Sequence, residues 1–172
     1  MDDESGPVGG AWGLGAAATE VSRLSETGDG QMAAINADVV QQYRANGGAI
    51  KTGLFAGMPG LLLHTKGAKS GKQRLNPLYR FDFEDSWYVI GADGGNLKTP
   101  AWVHNLRAQP QASVDIGTGT EVVTYDVTAR ELPEVERNQL WQKLLREIPH
   151  IAGFQEKADG RIIPVFELKP KE

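Results

Sequence analysis

Short apolar runs separated by tight turns dominate the middle of this chain and limit what it can fold into. "GLLLHTK" (60–66) reads as a strand, and Leu61, Leu62 and Leu63 are apolar in succession, so both of its faces are expected to be covered. "QRLNPLYRFDF" (73–83) reads as the next, with Leu75, Pro77, Tyr79, Phe81 and Phe83 spaced at a period of two. Pro77 cannot donate to a ladder, which places it at a sheet edge or a bulge. Glu84-Asp85 turns the chain, and "SWYVIGA" (86–92) runs back. "ASVDIG" and "TEVVTYDVTARE" flank Thr118-Gly119 as a hairpin, and "RIIPVFEL" is the last strand. A parallel crossover takes a dozen or more residues. The short turns here therefore favour about six antiparallel strands in a small closed or split barrel: a mainly β, α+β protein with flanking helices.

Three helices are expected around those strands. "QMAAINADVVQQYRANGG" (31–48) carries Ile35, Val39, Val40 and Tyr43 on one face and ends at a glycine stop signal. Thr99 is placed to cap a second, with Pro100 at its first position and Pro110 as its end. Pro133 opens a third, striped by Leu140, Leu144 and Ile148. A loop from Pro149 to Gly160 follows. Residues 1–30, rich in Gly, Ala, Ser and acids, read as a flexible tail with a short helix near Ala16 to Arg23, leaving 31–172 as the single domain.

There is no cysteine, so neither a disulfide nor a thiolate metal site is expected. His64, His104 and His150 lie far apart without metal-ligand spacing, so no metal is expected and each reads as structural. No apolar run approaches the roughly 20 residues that span a bilayer, and the acidic start, Met-Asp-Asp-Glu, is the wrong charge for a secretion signal. A cytoplasmic location is expected, with peripheral membrane contact left open.

Charge is the informative total. The chain carries −4, yet Val39 to Phe81 contains no acid and holds Arg44, Lys51, Lys66, Lys69, Lys72, Arg74 and Arg80. An acidic protein with one basic segment points to a compact anionic ligand at one site. Nucleic acid is disfavoured, because no aromatic side chains interleave with the basic stretch as stacking platforms.

That stretch, "TKGAKSGKQR" (65–74), has the parts of a phosphate loop without its pattern. Gly67 and Gly71 are one residue too close for G-x-x-x-x-G-K-[ST]. Gln73 stands where the magnesium-holding hydroxyl belongs, and a strand follows instead of a helix. A nucleotide triphosphatase is therefore rejected. Anion binding is retained: glycines turn backbone N–H groups inward, Ser70 adds a hydroxyl, Arg74 offers a fork and Lys69 a point charge. If 61–65 pairs with 75–81, both cations sit at a hairpin tip at the barrel mouth.

"LLLHTKGAKSGKQRLNPLY" followed by "IGADGGNLKTPAWVHNLRAQP" closely resembles the deazaflavin-dependent nitroreductase family of actinobacteria, which binds coenzyme F420. The resemblance runs over roughly residues 35 to 170, and the tandem of T-x-G-x-x-S-G-x-x-R-x-N-P-L with G-G-x-x-x-x-P-x-W is specific. It implies a split antiparallel β-barrel of the flavin-reductase, FMN-binding type. Lys69 and Arg74, with Ser70 beside them, match the positions that grip the phosphate and oligoglutamate tail. Ala68 stands where some members have Arg. Asn76, Pro77, Leu78 and Tyr79 match the strand against the deazaflavin ring. Gly91, Ala92, Asp93, Gly94 and Gly95 match the loop near the ring and ribityl chain; Asp93 departs from the Lys or small polar residue of some relatives. Trp102 matches a Trp that walls the pocket.

The resemblance implies an oxidoreductase in which the cofactor carries the hydride and the protein supplies position, so no catalytic triad is needed. Where nitroreducing members present tyrosines to the substrate, this chain has Ile148, Ile151 and Phe154, which implies an apolar pocket for a quinone-like or other hydrophobic acceptor rather than bulky nitroaromatics. An FMN- or haem-binding barrel enzyme and a non-catalytic F420 carrier stay open, as do monomer and homodimer.

Overall fold

The structure, a computed structural model, describes residues 29–53, 55–92, 99–149, 151–157 and 160–171. The tail and short helix expected over residues 1–28 lie outside them, while residues 29 and 30 already belong to the first helix. The elements are α1 (Asp29–Ala45), β1 (Gly60–Lys66), β2 (Gln73–Tyr79), β3 (Phe81–Phe83), β4 (Ser86–Ile90), α2 (Ala101–Ala108), β5 (Gln111–Gly117), β6 (Val122–Glu131), α3 (Glu134–Glu147), α4 (Ile151–Lys157) and β7 (Val165–Pro170).

All seven strands form one sheet, ordered β2-β1-β5-β6-β7-β4-β3, and every neighbouring pair is antiparallel. Its two edge strands, β2 and β3, are separated in the chain by Arg80 alone. In a flat sheet of this size the edges would lie about 29 Å apart, at about 4.8 Å per strand. The two residue steps from Tyr79 to Phe81 reach only about 7 Å. The sheet therefore has to curl into a half-barrel whose edges meet at Arg80. That corner is held by Arg80, whose N–H donates to Pro59 O at 3.1 Å and whose guanidinium donates to Gly60 O at 3.1 Å and Asp82 Oδ1 at 2.9 Å. The rings of Tyr79 and Phe81 pack at 4.8 Å across it.

This corner divides the run 73–83, read above as one strand, into β2 and β3. Four further boundaries differ from expectation. Pro100 and Pro133 sit at the N-caps of α2 and α3 rather than inside them, and no side chain caps either helix, so Thr99 is not the cap. Residues 151–157, read as loop, form α4. β7 starts at Val165 rather than Arg161, because Pro164 has no N–H for a ladder; its carbonyl instead accepts the N–H of Gly91 at 2.9 Å.

The sheet carries a core on each face. Leu62 packs with Val39 and Tyr43 of α1, Trp141 and Leu144 of α3, Ile151 of α4, Tyr79 and Phe81. Leu61 and Leu63 point the other way, to Val114, Val127, Phe166 and the Trp102, Val103 and Leu106 stripe of α2. The three successive leucines of β1 thus have both faces covered. α1 is fixed to the sheet through Tyr43, whose hydroxyl donates to Gly60 O at 2.7 Å and accepts the N–H of Gly117 at 2.8 Å. There the backbones come so close that a Cβ on Gly48 would lie 2.6 Å from Gly117 Cα. Among the described residues no helix is long and apolar enough to cross a membrane.

Candidate functional site

β1 and β2 pair in register from Gly60↔Tyr79 to Lys66↔Gln73, so residues 67–72 are the tip of a hairpin. Four N–H groups of the tip have acceptors, three within the tip and one on α2. Gly67 donates to Lys72 O at 2.8 Å, Gly71 to Gly67 O at 2.9 Å, Lys72 to Ser70 Oγ at 3.1 Å and Ala68 to Asn105 Oδ1 at 2.9 Å. The N–H groups of Lys69 and Ser70 have no acceptor among the described residues. The tip needs glycine at 71, where φ is +71°; at Gly67 a Cβ would stand 2.5 Å from Ser70 Oγ and displace that hydroxyl.

Asn105 joins this tip to α2. It is 6% exposed, and its Nδ2 donates to the buried Thr65 Oγ1 at 3.1 Å. Because Ala68 supplies a donor and the Thr65 hydroxyl can accept, both ends of the amide are matched. α2 presents Ala101, His104 and Asn105, an i, i+3, i+4 stripe, to the hairpin, while Trp102, Val103 and Leu106 face the second core. Between the two elements lies a groove of about 480 Å³, lined by Gly67 to Ser70, by Arg74 to Asn76, and by that stripe. Its size suits a small-molecule site.

The charge around the groove is unbalanced. Arg44, Arg80, Arg107 and Arg130 each reach a carboxylate, on Asp115, Asp82, Glu131, and Glu136 with Glu167 respectively. Lys66, Lys69, Lys72 and Arg74 have no ion pair among the described residues. Of these, Lys69 and Arg74 line the groove, so two cations, two N–H groups and the Ser70 hydroxyl, whose oxygen already accepts from Lys72, are left to meet an anion. The donor set fits a phosphate or carboxylate tail.

The remaining candidates divide by the pleat of β2. Arg74 and Asn76 share a strand face with Leu78, which packs against the second core. Pro77 and Tyr79 are out of phase with them, and Tyr79 is 4% exposed in the first core, where burial, with Glu147 adding to it, raises its phenol pKa. Trp102 is 4% exposed and packs edge-on to Phe166 at 5.9 Å, so it supports α2 from behind instead of lining the groove. Gly91 and Ala92 are buried and do not line the groove; a Cβ on Gly91 would lie 2.8 Å from Val103 Cγ2 of α2, while Ala92 is in the first core. Ile148 and Ile151 are in the first core, at 3% and 0% exposure, and do not join the groove. Asp93, Gly94, Gly95, His150 and the side chain of Phe154 lie outside the described residues.

The groove also contains Ala101, His104 and Asn105, which the sequence reading did not assign to it. The signal was present as the polar pair His104-Asn105 on a helix whose other stripe is apolar. Only the docking of α2 on the hairpin shows what that pair faces.

An antiparallel sheet curled until its edges meet, with helices on both faces and a cationic groove at one hairpin tip, defines a split β-barrel of the cofactor-binding type. Residues 36–170 match the family model described as F420H(2)-dependent quinone reductase, and the chain belongs to that family. An F420H(2)-dependent quinone reductase of Mycobacterium tuberculosis H37Rv is 33% identical over 126 residues, covering 73% of this chain and 83% of the relative. Among solved structures, the F420-H2 dependent reductase FDR-A shares 40% identity with a TM-score of 0.54, over 64% of this chain and 94% of that one. A structure described as a domain-swapped dimer shares 40% identity with a TM-score of 0.55, over 64% of this chain and 80% of its own.

Proposed function

We propose that this chain is a reductase that anchors the anionic tail of reduced coenzyme F420 in the groove between the β1–β2 hairpin tip and α2, for hydride transfer to a quinone. The observation that carries the reading is the set of cations at the tip, Lys69 and Arg74 above all, with no ion pair among the described residues, in a protein of net charge −4. Family membership supports the cofactor and the reaction class.

When bound, the reduced deazaflavin supplies a hydride at a ring carbon. Lys69, Arg74 and the N–H groups of Lys69 and Ser70 hold the phosphate and carboxylates of the tail. Asn105 keeps the tip in the shape that aims those donors. Asn76 and Leu78 lie further along the same face of β2 and, with Gly91 and Ala92, would stand near the ring. Such placement can contribute roughly 7–11 kcal/mol to lowering a barrier when the geometry is near-reactive. A quinone-like acceptor is hydrophobic and partitions into lipid, so the protein works from the cytoplasm and meets it at a membrane surface, as one copy or two.

The test is titration with F420 and with FMN, followed by tryptophan fluorescence, and then anaerobic oxidation of the reduced deazaflavin by menadione. Tight F420 binding, weak FMN binding and menadione-dependent turnover are expected. Binding without turnover with any quinone would leave a carrier, and tighter binding of FMN would overturn the cofactor assignment.

A further inference from the structure

We propose that Arg161 is a positioning residue that holds in place the backbone of Gly91 and Ala92, where the chain leaves β4. Its guanidinium donates to two successive carbonyls, Gly91 O at 3.0 Å and Ala92 O at 3.1 Å. These are the first residues after β4. Gly91 is further held by its own N–H on Pro164 O and by its close approach to Val103 on α2, the helix that also carries His104 and Asn105.

Arg161 is itself held from the opposite side. Gln155 of α4 donates Nε2 to Arg161 O at 2.6 Å, and its Oε1 accepts from Arg137 of α3 at 3.0 Å and from Ile163 N at 3.3 Å. Arg137 is buried, lies 4.4 Å above the Trp141 ring and donates to Ile163 O at 2.9 Å. Its partners among the described residues are all neutral. With only neutral acceptors Arg137 forms no ion pair among the described residues, and its fork-shaped donors instead orient Gln155 and Ile163 O. A chain of hydrogen bonds thus runs from α3 through α4 to Gly91 and Ala92. A forked side chain can hold two adjacent carbonyls at once, whereas the single ammonium of lysine holds them less rigidly.

The inference rests on the F420 reading above, in which Gly91 and Ala92 lie near the ring. It is tested with Arg161→Gln and Arg161→Lys against the full-length wild type. Three quantities are measured: F420 affinity by fluorescence, single-turnover hydride transfer to menadione at saturating cofactor, and amide hydrogen exchange in the ligand-free protein. For Arg161→Gln the expected rate falls about tenfold or more, the cost of a small misplacement near reacting atoms. Affinity changes less than about threefold, because the tail anchor is untouched. Exchange in the peptide containing Gly91 and Ala92 rises about tenfold while exchange in β1 stays unchanged. Arg161→Lys recovers part of both effects. Unchanged exchange and rate would overturn the positioning role. So would a loss of protection spread evenly over the sheet, which marks a purely structural residue. Failure of the wild type to bind F420 would instead sink the reading on which this inference rests.

Discussion

Asn105 of α2 holds Ala68 of the hairpin tip, accepting its backbone N–H at 2.9 Å. The contact joins elements 37 residues apart and leaves Lys69 and Ser70 as the donors facing the groove. Asn105→Ala orphans Ala68 N–H and the buried Thr65 hydroxyl. It is expected to cost about 1–3 kcal/mol of stability by urea unfolding and to weaken F420 binding about tenfold as the tip loosens. Asn105→Asp keeps an acceptor for Ala68 but adds negative charge beside an anion. It should lose more affinity than the alanine variant while losing less stability. The opposite ordering would show that the amide acts on folding alone.

Removing the tail anchor should separate binding from folding. Lys69 and Arg74 are exposed and have no ion pair among the described residues, so the double variant Lys69→Ala, Arg74→Ala is expected to unfold within about 0.5 kcal/mol of the wild type. Two lost charge-assisted contacts predict F420 binding weaker by about 100-fold. The remaining affinity should depend less steeply on salt, since the screened charges are gone. Unchanged affinity would eliminate the tip as the tail site.

The junction of α1 with the β5–β6 hairpin leaves no room for side chains. Gly48 has φ +99° and a Cβ there would stand 2.6 Å from Gly117 Cα. Gly48→Ala and Gly117→Ala are each expected to destabilise by about 2–3 kcal/mol or more, through strain and forced separation of two backbones. Thermal unfolding of both variants checks this, and a control at Gly153, where a Cβ meets nothing within 4 Å, should change little.

Acid should weaken the fold through β6 and β7. The hydrogen bonds from Arg107 hold the Glu131 carboxyl below its usual range. At Glu167 burial opposes ionisation, but hydrogen bonds from Ser86, Arg130 and Tyr88 outweigh it and lower the pKa. A carboxyl depressed in the folded state contributes stability above its unfolded pKa and loses it as pH falls through the folded value. The melting temperature is therefore expected to be flat above about pH 5 and to fall below about pH 4.5. Arg130→Met should make that acid-side fall shallower, because the partner that depresses Glu167 and Glu136 is gone.

Ile151 decides whether the segment after α3 forms an acceptor pocket or a core. It is 0% exposed among first-core side chains. Ile151→Ala is expected to cost about 2–5 kcal/mol, with KM for menadione unchanged within about twofold. A large rise in KM with little loss of stability would restore Ile151 to the pocket.

The period-two runs, the short turns and the charge asymmetry were readable in the chain itself, because each depends on neighbours a few residues apart. They were enough to place the antiparallel strands and the hairpin tip at 67–72 with its cations, and Pro77 does lie on an edge strand. Other features depended on partners remote in the sequence. The division of 73–83 at Arg80 follows from closing the sheet, which no local pattern contains. Thr99 had the chemistry of a cap, yet the helix begins after Pro100. Tyr79, Trp102, Ile148 and Ile151 were placed around a ligand, but which face a side chain meets depends on which helix packs there, and all four are buried in the two cores. Asn105 and His104 are polar residues on a helix until α2 docks against the hairpin. Local periodicity and charge determined the kind of barrel and where its cations gather. Long-range packing decided which side chains face the groove, because burial is a property of contacts between distant segments.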